Sequence, residues 1–249
     1  MPVCATLGTL VRATTFAAAQ AEVLRRAQAG IGGAAYFCNV HMLIEQYRLP
    51  QLRRALRRAE LVFADGRPVA MAQRLFGHRQ AEQVAGPEMT HRLMPLCQAR
   101  NLSIFLYGGS PEMLTRLQQV LRQRWPSLCV AGAISPPFRP LHAIDPVAER
   151  ADVEAINASG AHICLVGLGC PKQELWIERH RATVKPVLLG VGAAFAMLAG
   201  VTPRAPAWMV RCYVEWLYRL AKEPKRLWGR YSQSNPLFLN LLLRELWSR

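Results

Sequence analysis

A mostly parallel α/β sheet with helices on both faces, Rossmann-like in its layering, is the fold this sequence predicts. Three observations carry that expectation. Short apolar runs rich in β-branched residues, such as 163–166 and 187–189, suit strands covered on both faces. Amphipathic helical patterns alternate with those runs almost throughout. Turns of glycine and proline follow the strands, as in Gly108-Gly109-Ser110-Pro111 and Gly167-Leu-Gly-Cys-Pro171. At 249 residues with 51% hydrophobic content, the chain can bury one large core, or a core plus a small appendage.

Thr15 can cap a helix over 16–28, which Gly30-Ile-Gly-Gly33 breaks before a strand at 34–38. Asn39 can cap the next helix, at 40–47. A basic helix at 51–58 leads to a strand at 60–63 and then to Ala64-Asp65-Gly66-Arg67-Pro68, where Pro68 opens another helix. Asp65 therefore falls at the carboxyl end of a strand, where the ligand sites of parallel sheets cluster. A strand at 102–107 precedes an amphipathic helix at 112–124. The strand at 128–134 ends in Ser135-Pro-Pro-Phe-Arg-Pro140, a loop that can act as a lid, and a polar helix at 146–157 follows.

The stretch from His162 to Trp176 organises the rest. Gly167 and Gly169 allow close backbone approach, and Pro171 fits a first helical position, so the N–H groups of the next turn face whatever sits above the strand. A nucleotide diphosphate suits that geometry, although any parallel α/β domain needs such turns for topology alone. The uncharged interval 186–203 is divided by Gly190, Gly192 and Gly200 into a strand and a short helix at 193–198, which reads as buried core and not as a membrane span.

Lys and Arg outnumber Asp and Glu by 31 to 16, and the net charge of +15 favours an anionic partner. Seven cysteines are scattered without a CxxC or His-Cys cluster, the pattern of reduced core thiols in a cytosol. No charged segment precedes an apolar core at the N-terminus, so no secretory signal is expected. Composition divides the chain into an α/β catalytic domain at 1–203 and a basic, Trp-rich helical appendage at 204–249, where nine basic residues face three acidic ones. Within it Trp208, Trp216, Trp228 and Trp247 interleave with Arg211, Arg219, Lys222, Lys225, Arg226 and Arg230, a combination suited to an anionic membrane surface. A last helix at 236–247 is too short to span a bilayer; core completion or a homo-oligomer contact is the rival reading of this tail. Nucleic acid has no helix-turn-helix, RRM or zinc pattern in its favour.

Taken together, Cys38-Asn39-Val-His41, Ala64-Asp65-Gly66-Arg67-Pro68, Gly86-Pro87-Glu88, Leu106-Tyr-Gly-Gly109, Gly167-Leu-Gly-Cys-Pro-Lys-Gln-Glu174, Gly190-Val-Gly192, Arg204-Ala-Pro206, Glu215-Trp-Leu-Tyr-Arg219 and Glu223-Pro224 resemble the WecG/TagA/CpsF glycosyltransferases (glycosyltransferase family 26), in order and over nearly the whole chain. The resemblance implies an inverting enzyme that moves a hexose or N-acetylhexosamine from a UDP-sugar to a polyprenyl-diphosphate-linked glycan, on the cytoplasmic face of the inner membrane, for wall polymers or exopolysaccharides of the xanthan type. It implies Asp65 as the catalytic base. Asn39, Gly66, Gly86, Glu88, Gly108, Gly109, Gly169, Lys172, Gln173, Glu174 and Arg204 are the substrate-binding positions it implies, with Lys172 or the helix start beneath it for phosphate. No cofactor and no metal ion are expected, because no Asp-x-Asp pair occurs.

Four positions depart from the family pattern. Phe37 stands where a Thr is usual, Gln83 where an Arg is, Glu88 where an Asp is, and Ala196 where an Asp is. A catalytically weakened relative that binds lipid-linked glycan or scaffolds a polysaccharide assembly is accordingly the alternative expectation.

Overall fold

The computed structural model describes residues 1–141, 143–202, 209, 215–222 and 224–248. Eight strands form one sheet in the order β1-β2-β4-β3-β8-β7-β5-β6. They are β1 (Val3–Thr6), β2 (Thr9–Arg12), β3 (Gly33–Cys38), β4 (Leu61–Ala64), β5 (Ile104–Gly108), β6 (Val130–Ile134), β7 (Ile163–Gly167) and β8 (Val187–Gly190). Among the described residues only β1 and β2 pair antiparallel; every other pairing is parallel, as the apolar runs require. The α/β expectation therefore holds.

Alternate residues of each strand feed two cores. Ala35, Phe37, Phe63, Leu106, Leu165 and Leu189 face one side, where α1 (Phe16–Gln28), α5 (Gly86–Ala99), α6 (Pro111–Arg124) and α9 (Ala194–Leu198) cover them. Tyr36, Cys38, Val62, Tyr107, Val166 and Leu188 face the other, under α2 (Val40–Arg48), α3 (Pro50–Arg58), α4 (Arg67–Leu75), α7 (Pro146–Ala158) and α8 (Lys172–His180). The period of two along a strand buried on both faces produces this division. Thr15 caps α1 and Asn39 caps α2, each accepting from the N–H three residues on.

Three elements, β1, β2 and α5, are absent from the expected pattern. The β1–β2 hairpin turns at Leu7-Gly8, both with positive φ (48° and 74°), a two-residue geometry that a Leu-Gly pair between two threonines announces only weakly. Helix α5 begins at Gly86 and contains Pro95, which interrupts the periodic signal. Pro171 also occupies the cap position of α8, one residue outside the helix it was expected to start.

The final helix runs Pro224–Trp247 with Pro236 inside it, twelve residues longer at its start than the pattern at 236–247 indicates. Among its described side chains Ser234, Phe238 and Leu242, spaced at four residues, are the buried ones, and the helix packs on α2. Glu245 Oε2 accepts from the Leu7 N–H at 2.8 Å, tying the helix to the hairpin turn. This part of the tail thus completes the core. Its other face leaves Trp228, Leu239, Leu243 and Trp247 exposed. We expect Phe238→Ala to lower unfolding free energy by about 3 kcal/mol through the cavity it leaves, and Leu239→Ala to change it by less than about 0.5 kcal/mol. Equilibrium urea unfolding distinguishes the two.

Candidate active site

With both sheet faces covered by helices, polar chemistry is left to the edge where parallel strands end. Strand β3 leaves toward α2 on one face, while its neighbour β8 leaves toward α9 on the other, so the chain parts above them into a crevice. Asn39 follows β3 and Asp65 follows the adjacent β4; both are half-buried. The Asp65 N–H donates to the Cys38 carbonyl at 2.9 Å, which keeps the two strand ends together one residue beyond the ladder.

Asn39 uses Oδ1 to accept from the Met42 N–H at 3.1 Å, the capping role open to any Asn there. Its side chain lies under Gly66, where a Cβ would come 3.8 Å from the Asn39 Cβ. Gly66 has φ +114°, a conformation that L residues rarely adopt, and it turns the chain directly from Asp65 into α4. Gly86 opens α5 packed flat against Phe37, whose ring a Cβ would meet at 3.2 Å. Phe37 in turn tilts against Phe63 at 5.9 Å, so the residue that departs from the family pattern is a core aromatic beneath the site. Gln83 receives the Arg67 Nε–H at 3.3 Å, beside Asp65 in the chain. Glu88 pairs with Arg92 along α5, and Ala196 is half-buried in α9.

Across the crevice, Gly108 ends β5 and Gly167 ends β7 in register. A Cβ on Gly108 would lie 2.7 Å from the Gly167 carbonyl carbon, so no larger residue allows these strand ends to close. Gly109 is exposed beyond them, and its carbonyl accepts from the Ser135 hydroxyl at 2.7 Å. Lys172, the first residue of α8, donates from Nζ to the Arg139 carbonyl at 2.7 Å and sits 3.6 Å from the centre of the Phe138 ring. The proline-rich loop thus reaches the helix start that was singled out for phosphate.

Gln173 connects the two halves. It is 3% exposed, and its Oε1 accepts from the Gly169 N–H at 3.2 Å and the Gly192 N–H at 3.0 Å. One amide oxygen therefore ties the β7–α8 turn to the β8–α9 turn. The Gln173 Nε2 donates to Glu174 Oε1 at 2.7 Å. Glu174 is fully buried, its Oε2 has no hydrogen-bond partner, and burial pushes its carboxyl up to about 7, against the pull of the Gln173 amide, its own backbone N–H and the Cys170 thiol. Gly192 is the residue here that the sequence reading leaves out of its site; only the Gly190-Val-Gly192 spacing pointed to it.

Arg204 and Arg211 lie outside the described residues, as do the side chains of Arg219, Lys225, Arg226 and Arg230; Lys222 is exposed, 5.8 Å from the centre of the Tyr218 ring. Among the described residues no group of three His, Cys, Asp or Glu side chains is arranged to hold a metal ion. The crevice offers a half-buried carboxylate beside a carboxamide, a glycine-lined floor and the N-terminus of α8, features that suit an anionic ligand with a hydroxyl to be deprotonated beside it. In comparison with known proteins, a family model described as "Glycosyl transferase WecG/TagA/CpsF family" matches residues 4–249.

The buried carboxyl has a consequence for stability. A carboxyl at 4.5 when unfolded and about 7 when folded binds its proton more tightly in the native state, so its stabilising effect is present below 4.5 and lost as pH rises through 7. Relative to Glu174→Gln, the parent protein is expected to lose stability, on the order of 2–3 kcal/mol, as pH rises from roughly 5 to 8, measured by urea unfolding. Equal pH slopes for the two proteins would contradict the assignment.

Proposed function

The chain belongs to the WecG/TagA/CpsF glycosyl transferase family, and on that premise we propose that it moves a hexose or N-acetylhexosamine, with inversion, from a UDP-sugar to a polyprenyl-diphosphate-linked glycan. That it is a glycosyltransferase of cell-surface polymer synthesis follows from the family itself. The observation that supports the finer reading best is that Asp65, Asn39 and the glycine turns of β5, β7 and β8 all stand at the carboxyl edge of one sheet.

In this reading the diphosphate lies over the glycine turns and the first turn of α8, where backbone dipoles meet the charge that develops on the leaving UDP. Lys172 reaches a phosphate oxygen by giving up the Arg139 carbonyl and the Phe138 ring. Asp65 accepts the proton of the acceptor hydroxyl as that oxygen bonds to the anomeric carbon from the face opposite the departing diphosphate. The bond to the diphosphate breaks, the configuration inverts, and protonated Asp65 returns its proton to water. Helix dipoles and Lys172 carry the leaving group without a divalent ion in this account. Asn39, with Oδ1 engaged by Met42, has its amide nitrogen to offer the donor.

A bilayer-anchored acceptor also requires the enzyme at a membrane surface. No helix among the described residues is long and apolar enough to cross a membrane. The exposed Trp228, Leu239, Leu243 and Trp247, together with the basic residues of the tail, suit peripheral attachment to acidic lipid. The inert-relative alternative rests on Phe37, Gln83, Glu88 and Ala196, and the retained Asp65, Asn39 and Gln173 argue against it. We expect turnover when a panel of UDP-sugars is offered with polyprenyl-diphosphate glycans in acidic liposomes, followed by mass spectrometry. Asp65→Asn should keep UDP binding and lower that turnover by about 10²- to 10⁴-fold. Activity within a few-fold of the parent would remove Asp65 from the role, and no product with any donor would favour the inert relative.

A further inference from the structure

A fully buried carboxyl with one oxygen unpartnered is costly to keep, and nothing in the transfer chemistry above calls on it. Glu174 has no exposed surface, so it does not touch a ligand in the crevice. Its partners are Gln173 Nε2, at 2.7 Å, its own backbone N–H and the Cys170 thiol, and of these Gln173 alone reaches the two glycine turns. The amide of Gln173 has two orientations of nearly equal shape. In one, Oε1 receives the Gly169 and Gly192 N–H groups; in the other, the NH₂ group would oppose both of those donors. An ionised carboxylate is an acceptor only, so it draws the NH₂ group toward itself and leaves the oxygen for the glycines.

We propose that Glu174 is a positioning residue: through Gln173 it fixes the amide orientation that holds the β7–α8 and β8–α9 turns at one spacing, and so shapes the floor of the crevice. Reading that floor as a nucleotide-diphosphate site rests on the function proposed above; the coupling of Glu174 to the two glycines does not. A protonated Glu174 gains a donor and no longer dictates the amide orientation, so the clamp loosens as pH falls. Among the described residues the titratable groups that face the carboxyl are Tyr36 and Cys38 of β3 and Cys170 of the turn, none of them cationic. Glu60, Glu178 and Arg181 also act on Tyr36, and Asp65 acts on Cys38. Tyr36 also donates its hydroxyl to the Glu174 carbonyl at 3.2 Å, which holds the backbone of this turn independently of the carboxyl.

Amide NMR of the full chain tests the coupling directly. In the parent, the Gly169 and Gly192 amide shifts should titrate together with the side-chain carboxyl carbon of Glu174. In Glu174→Gln, which like the protonated acid carries a donor beside its acceptor, those amides should cease to titrate and stay at the shifts the parent shows at low pH. In Glu174→Leu, which offers no acceptor, they should exchange at least tenfold faster, while Gly33 at the opposite edge is unchanged. Amides that titrate alike in the parent and Glu174→Gln, or that exchange within twofold of the parent in Glu174→Leu, would overturn the proposal; should the leucine variant fail to fold, the glutamine comparison decides. A parallel measurement of UDP affinity separates the two ideas. A tenfold loss in Glu174→Leu supports both, whereas amides that respond in a protein that never binds UDP refute the nucleotide site and leave the coupling standing.

Discussion

Seven strands run parallel, and the five central ones, β4, β3, β8, β7 and β5, are buried on both faces; that single constraint decides where this protein can do chemistry. A parallel sheet shielded by two helical layers has no solvated face, and its backbone polar groups are consumed by the ladder. Functional groups must therefore stand at the ends of strands, on turns whose backbone is close-packed against neighbouring turns. Gly108 against Gly167 is the tightest of these contacts, and it leaves no room for a Cβ. Asn39 and Asp65 are brought together by the same rule, because β3 and β4 are neighbours whose last register pair is Cys38 with Ala64.

Buried polar groups cross-link those turns. Gln173 binds two turns with one oxygen, and Glu174 stands behind it at an energetic cost that grows as pH rises through its titration. The arrangement sets stability against site geometry: the ionised carboxylate destabilises the fold while it enforces the amide orientation, and the neutral acid does the reverse. Proteins commonly concentrate such costs where function needs a fixed geometry. The final helix works in the other direction. By inserting Phe238 and Leu242 beside α2 and accepting the Leu7 N–H on Glu245, it adds to the core while presenting a separate apolar face outward.

Much of this was legible in the residues. The apolar runs fixed the central strands to within about two residues, since a strand buried on both faces cannot be polar at either face. Thr15 and Asn39 announced their helices because capping chemistry is local. The hairpin was not legible, because its turn depends on Leu7 adopting a positive φ that its side chain does not favour. Helix α5 was hidden by Pro95, and the first half of the final helix by polar residues at 229–235. The amide clamp is a different kind of omission. Gln173 is separated from Gly192 by an intervening strand, and which polar groups meet across such a distance is a property of packing that no local pattern encodes. The same holds for Lys172, whose contact with the Arg139 carbonyl joins two segments far apart in the chain.

The claim on which the account depends is that the carboxyl edge of β3 and β8 receives a uridine diphosphate group. Photolabelling with an azido-UDP analogue, followed by peptide mapping, addresses it most directly. The account predicts label in the turns at 39–42, 65–68, 108–111, 167–173 or 190–193, suppressed by excess UDP. Label confined to the amino edge at 30–33 and 181–187, or labelling indifferent to UDP, would contradict it.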